Sequence, residues 1–89
     1  MSTLGADGIR SSLREYILAN FLFTDDQSAL SDEDSFQDTR IIDSMGMIQV
    51  IQFIEGEYQI KVKDDEMVPE KLDSVSRLTR FIMSKRGLA

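Results

Sequence analysis

From Asp43 onward the run Asp-Ser-Met-Gly-Met-Ile-Gln-Val-Ile-Gln-Phe-Ile-Glu-Gly-Glu-Tyr leaves the chain few ways to fold. Met47, Val50, Ile51, Ile54 and Tyr58 fall at the i, i+3/i+4, i+7 spacing that lines up apolar side chains on one helical face. Ser44–Tyr58 is therefore read as a helix. Asp43 suits its N-cap, because a carboxylate there accepts bonds from backbone N–H groups that the first turn leaves unpaired. A helix with one greasy stripe needs partners, and the chain supplies them. Ile9, Leu13, Tyr16 and Ile17 form a second stripe within residues 6–22, with Leu18 outside it. Val75, Leu78 and Ile82 form a third, following a cap at Asp73 and closed by Gly87 behind basic Lys85 and Arg86.

The segments between these stripes are less regular. Thr24–Ile42 has no sustained period and is rich in Asp and Ser, which predicts a loop, with Leu30, Phe36 and Ile41 placed to pin it to the core. Gln59–Lys63 alternates as a strand would, but it has no second strand to pair with. It is read as an extended connection with Ile60 and Val62 facing inward. Asp64–Val68 predicts a short helical turn, ended by Pro69 because the residue before a proline avoids the helical region. The expectation is one all-α domain over residues 1–89. It is a small antiparallel bundle of three main helices plus one short helix, with a long loop between the first two.

Composition then removes whole classes of chemistry. The 89 residues contain no cysteine and no histidine, which excludes disulfide frameworks, thiolate zinc sites, cysteine nucleophiles and every Ser-His triad. A chain this short also has few side chains to spare for a deep catalytic cleft, so the reading is of a protein that is not an enzyme. The formal net charge of −6 argues against nucleic acid and against anionic lipid surfaces. Met1–Gly8 lacks the basic segment and apolar core of a signal peptide, and the apolar stretch Tyr16–Phe23 is broken by Asn20 and too short to span a bilayer. These features predict a cytoplasmic monomer without membrane insertion.

That charge is concentrated. Residues 1–23 and 44–89 each balance their acids against their bases, whereas residues 24–43 carry Asp25, Asp26, Asp32, Glu33, Asp34, Asp38 and Asp43 against Arg40 alone. A run of this kind is either a solvated loop or a landing surface for a basic partner. The helix that follows it bears on the choice. At about 100° per residue, Met45 points almost opposite the core stripe and Ile48 lies at its edge, so two apolar side chains flank a serine at a helix start. The positive end of the helix dipole and the free N–H groups make Ser44 a place where an attached phosphate is well tolerated. With no histidine to activate it, Ser44 would have to be modified by another protein. The plainer reading is that Asp43 or Ser44 is simply a cap.

The run Ile42-Asp43-Ser44-Met45, with the apolar helix Met47–Glu55 after it, resembles the phosphopantetheine attachment region of acyl carrier proteins. In that family an Asp-Ser-Leu or Asp-Ser-Met motif opens the second helix and an acidic pair or triplet closes it, the place held here by Glu55 and Glu57. The likeness extends through Asp34-Ser35-Phe36 in the acidic loop, and the stretch Asp64–Val75 resembles stand-alone carriers of specialised pathways. The resemblance implies that Ser44 accepts 4′-phosphopantetheine from coenzyme A through a separate, magnesium-using phosphopantetheinyl transferase. The arm would then hold acyl or aminoacyl groups as thioesters for fatty acid, polyketide or specialised biosynthesis. Asp43 would help to bind the transferase and its metal, while the carrier itself needs none. Partner recognition is expected from Asp43, Met45, Ile48, Glu55, Glu57 and Asp38. The partners would be a loading ligase and synthases or acyltransferases with basic docking patches.

Family members often place acids two and five positions after the serine; Gly46 and Gln49 stand there in this chain, which points to a dedicated set of partners. Met45, Met47 and Met67 read as core or surface filling, or as a compliant lining for an attached chain. Two other functions compete. One is an unmodified acidic adaptor with the same fold. The other, calcium binding by the loop, fares badly, since counting from Asp32 gives Phe36 and Gln37 at the fifth and sixth positions and no central glycine.

Overall fold

The computed structural model describes residues 5–87, so the first four residues of the Met1–Gly8 reading lie outside it. The described residues form five α-helices and no strands: α1 (Ala6–Ile17), α2 (Phe36–Thr39), α3 (Ser44–Tyr58), α4 (Pro69–Leu72) and α5 (Val75–Lys85). The three long helices stand where the apolar periods put them. α1 packs chiefly against α5, and Ile9, Leu13, Ile17, Val50, Ile54, Val75, Leu78 and Ile82 are sealed from solvent between the long helices. Ile60 and Val62 turn inward from the extended connection as expected, and Gly87 closes α5 at φ +72°, the left-handed region that suits glycine.

The first helix departs from the expected register near its end. Ala6–Ile17 is α-helical, but Leu18–Leu22 widens into a π-turn whose end is Phe23 at φ +53°. Leu18, placed outside the stripe by its spacing, is buried at 2% exposure. Leu18 joins the core cluster, and the Leu18–Leu22 segment that it opens lies against a 3₁₀ turn at Gln27–Ala29. Tyr16 stacks on Phe53 with ring centroids 4.0 Å apart and meets Phe21 edge-on at 6.0 Å, which joins the end of α1 to α3.

The acidic connection is more structured than a plain loop. Leu30 and Phe36 are buried as anticipated, whereas Ile41 is only half-buried and the adjacent Ile42 takes the core position. Within it lies α2, capped by Ser35, whose Oγ accepts from the Asp38 N–H at 3.1 Å. Asp73 does not cap α5; that role belongs to Ser74, whose Oγ accepts from the Arg77 N–H at 3.0 Å. Asp73 is instead buried and turned toward α2, accepting from the Gln37 N–H at 3.0 Å and from the Ser35 hydroxyl. Pro69 opens α4 rather than ending a turn; the 3₁₀ turn before it, Asp64–Glu66, is closed already at Met67. A proline at the first helical position gives up only an N–H that had no helical partner. The bundle thus contains two short α-helices where one was expected, the extra one being α2.

Candidate functional site

Ser44 is the first residue of α3 and is exposed. Its neighbour Asp43 has extended backbone, and one carboxylate oxygen accepts from the Gly46 N–H at 2.7 Å while its carbonyl accepts from the Met47 N–H at 2.8 Å. The first turn of a 15-residue helix is therefore fixed by the residue that precedes the serine. The Ser44 hydroxyl has no hydrogen-bond partner among the described residues. A rigid helix start presents it, and the helix dipole makes its surroundings electropositive.

Met45 is 76% exposed and Ile48 56%, so the apolar pair expected beside the serine stands in solvent. The acids named with them are differently placed. Asp38 is exposed on α2, and Glu57 is exposed near the end of α3. Glu55 is half-buried, with a carboxylate oxygen accepting from the Val62 N–H at 2.9 Å, so it ties α3 to the extended connection. Several loop acids are committed in the same way. Asp32 meets Arg14 at 2.7 Å and Arg10 at 3.2 Å, Asp26 accepts from the Ser28 N–H and hydroxyl, and Glu33 accepts from the Ser76 hydroxyl. The two bonds from Ser28 hold the Asp26 carboxyl below its usual range. Asp25 and Asp38 make no side-chain hydrogen bond or ion pair among the described residues.

Beside Ser44 lies a groove of about 510 Å³ between the first half of α3 and the Met67–Asp73 segment. Its walls are mainly apolar, with Met47, Ile48, Ile51, Met67, Val68 and Leu72 among them. Asp43 and Ser44 stand at one side, together with Arg40 from the end of α2. Met47 and Met67 both line this space, and Met67 is 47% exposed. No group of three acids is placed to hold a metal ion among the described residues. No helix among them is long and apolar enough to cross a membrane.

Two contributors to the site have roles that the sequence did not assign to them. Gly46 is buried, and a Cβ added to it would lie 2.8 Å from a ring carbon of Phe21, 3.0 Å from Ile42 and 3.1 Å from the capping oxygen of Asp43. No side chain fits there, acidic or otherwise, while the π-turn holds Phe21 against the first turn of α3. Arg40 is the other, and its one legible signal was its isolation among seven acids.

No family model matches the chain. Two curated proteins from Brachyspira hyodysenteriae, each named Acyl carrier protein, are 30% identical to it over 66 residues. That alignment spans 74% of this chain and 82% of theirs.

Proposed function

The chain belongs to the acyl carrier protein family, and from that membership we propose that Ser44 is the attachment point of a 4′-phosphopantetheine arm. The observation that carries this reading is an exposed serine hydroxyl at the start of a long, well-capped helix, immediately beside an apolar groove. A phosphodiester at that position would lie near the free N–H groups of the first turn, where a negative charge is stabilised. When bound, the arm supplies a thiol that carries acyl or aminoacyl groups as thioesters; every other task belongs to this chain or to its partners.

Attachment balances without help from this chain. The Ser44 oxygen bonds to the pantetheine-side phosphorus of coenzyme A, the pyrophosphate P–O bond breaks, and adenosine 3′,5′-bisphosphate leaves. The hydroxyl proton passes to a base on a phosphopantetheinyl transferase. Asp43 borders the acceptor hydroxyl, so its carboxylate is available to a cation or a basic side chain on that enzyme. Met45 and Ile48 form a small apolar anchor for successive partners, with Asp38 nearby in sequence on α2. Such a surface favours fast encounter and fast release. The apolar groove would shelter part of a loaded chain, each buried methylene contributing at most ~0.8 kcal/mol. The carrier would serve a dedicated biosynthetic pathway in the cytoplasm.

Intact mass after incubation with coenzyme A, magnesium and a phosphopantetheinyl transferase tests the reading. Wild type should gain one phosphopantetheine and Ser44→Ala none. An unchanged wild-type mass with several transferases would overturn it, and Ser44→Ala that keeps full biological activity would favour an unmodified adaptor.

A further inference from the structure

The groove beside Ser44 has one cation in its lining, Arg40, which stands at the C-terminal end of the short helix α2. Arg40 sits at φ +60°, a left-handed conformation that a side chain with a Cβ adopts only at a cost. The backbone is held there by the α2 C-terminus, where the Arg40 N–H donates to the Gln37 carbonyl at 3.2 Å. Phe23 and Gln59 end their helices in the same conformation, so it reflects the helix end and leaves the guanidinium free. It is exposed, donates no side-chain hydrogen bond, and has no carboxylate within ion-pair distance among the described residues, although it is the only base in a segment with seven acids.

The groove's own acids are occupied elsewhere. Asp73 accepts from Ser35 and from the Gln37 N–H, and one oxygen of Asp43 caps α3. Nor does Arg40 suit a surface that attracts basic partners, because a positive charge there opposes them. A cation that is unpaired and that borders the same groove as Ser44 fits an anion arriving at Ser44. A phosphodiester on that serine carries a permanent negative charge beside the Asp43 carboxylate, and an arginine is the side chain best shaped to grip phosphate oxygens.

We propose that Arg40 is a positioning residue for the arm, its guanidinium pairing with the phosphodiester on Ser44 and setting the arm's root at the mouth of the apolar groove. The proposal rests on the reading of Ser44 as the attachment point. It is tested on fully modified protein, checked by intact mass, with readouts independent of any partner enzyme. In wild type the phosphorus resonance of the phosphodiester should move on going from low to high sodium chloride, because salt screens the pair. In Arg40→Gln, where only Asp43 and the start of α3 remain to be screened, it should move clearly less, and in Arg40→Lys the sensitivity should return. In wild type the Arg40 side-chain Nε–H cross-peak should also shift between the unmodified and modified forms, which decides the matter even if Arg40→Gln folds poorly. A phosphorus signal that behaves alike in wild type and Arg40→Gln, or an Arg40 Nε–H peak that does not move on modification, overturns the pairing and leaves Ser44 intact. Absence of any phosphorus signal after transferase treatment overturns both.

Discussion

At the residue scale the first turn of α3 is built by exclusion. By propensity alone, glycine at position 46 weakens the helix by up to ~1 kcal/mol relative to alanine. The structure reverses that judgement, because the space a Cβ needs is taken by Phe21, Ile42 and the capping oxygen of Asp43. Gly46→Ala should therefore destabilise the protein, overpacking at ~1–3 kcal/mol outweighing the recovered propensity, for a net loss of about 1 kcal/mol. Urea unfolding measures it, and a stabilised variant would show that Phe21 moves aside freely. This also marks a limit of the sequence. Ser44, its cap and the exposed Met45 and Ile48 follow from spacing on one helix, whereas the use of Gly46 depends on a ring supplied from more than twenty residues away.

At the scale of elements the same division holds. Helices α1, α3 and α5 were legible because each carries its own stripe, and the inward turn of Ile60 and Val62 followed from alternation. What could not be read were features imposed from a distance. Leu18 is buried in the core at the start of a π-turn that lies against the Gln27–Ala29 turn, and α2 is held because Asp73 and Ser35 close its first turn from both sides. Asp73 looked like a cap for the helix after it, yet its carboxylate serves a helix more than thirty residues earlier. Asp73→Ala should leave the Gln37 N–H and the Ser35 hydroxyl without their partner in a part-buried place, costing about 1–3 kcal/mol. The α2 amides should show the largest rise in hydrogen exchange; uniform acceleration over all helices would contradict that assignment.

Across the whole molecule, electrostatics holds the connections between helices as well as the surface. Glu66 receives the Lys63 N–H at 2.9 Å and pairs with Lys85 at 3.0 Å, fastening the turn before α4 to the end of α5. The backbone bond first, and Lys85 second, keep its carboxyl below the ordinary value of 4.5. A depressed carboxyl adds stability above its unfolded pKa and loses it as the pH falls through the folded one. Glu66→Gln should accordingly be less stable than wild type at neutral pH, with the gap narrowing below pH 4.5, as thermal melts across an acid series would register. A constant gap at every pH would argue that the lost contact is not ionic.

The acids of the 24–43 segment are largely turned to internal use: one straddles two arginines of α1, others close turns, and another caps α3. These bonds fix where the negative charge sits without removing it, so at a distance the molecule still acts with its full formal charge of −6. Only at close range do the unpartnered carboxylates of Asp25 and Asp38 differ from the rest, so an approaching protein would be drawn in by the whole charge and turned into register by those few.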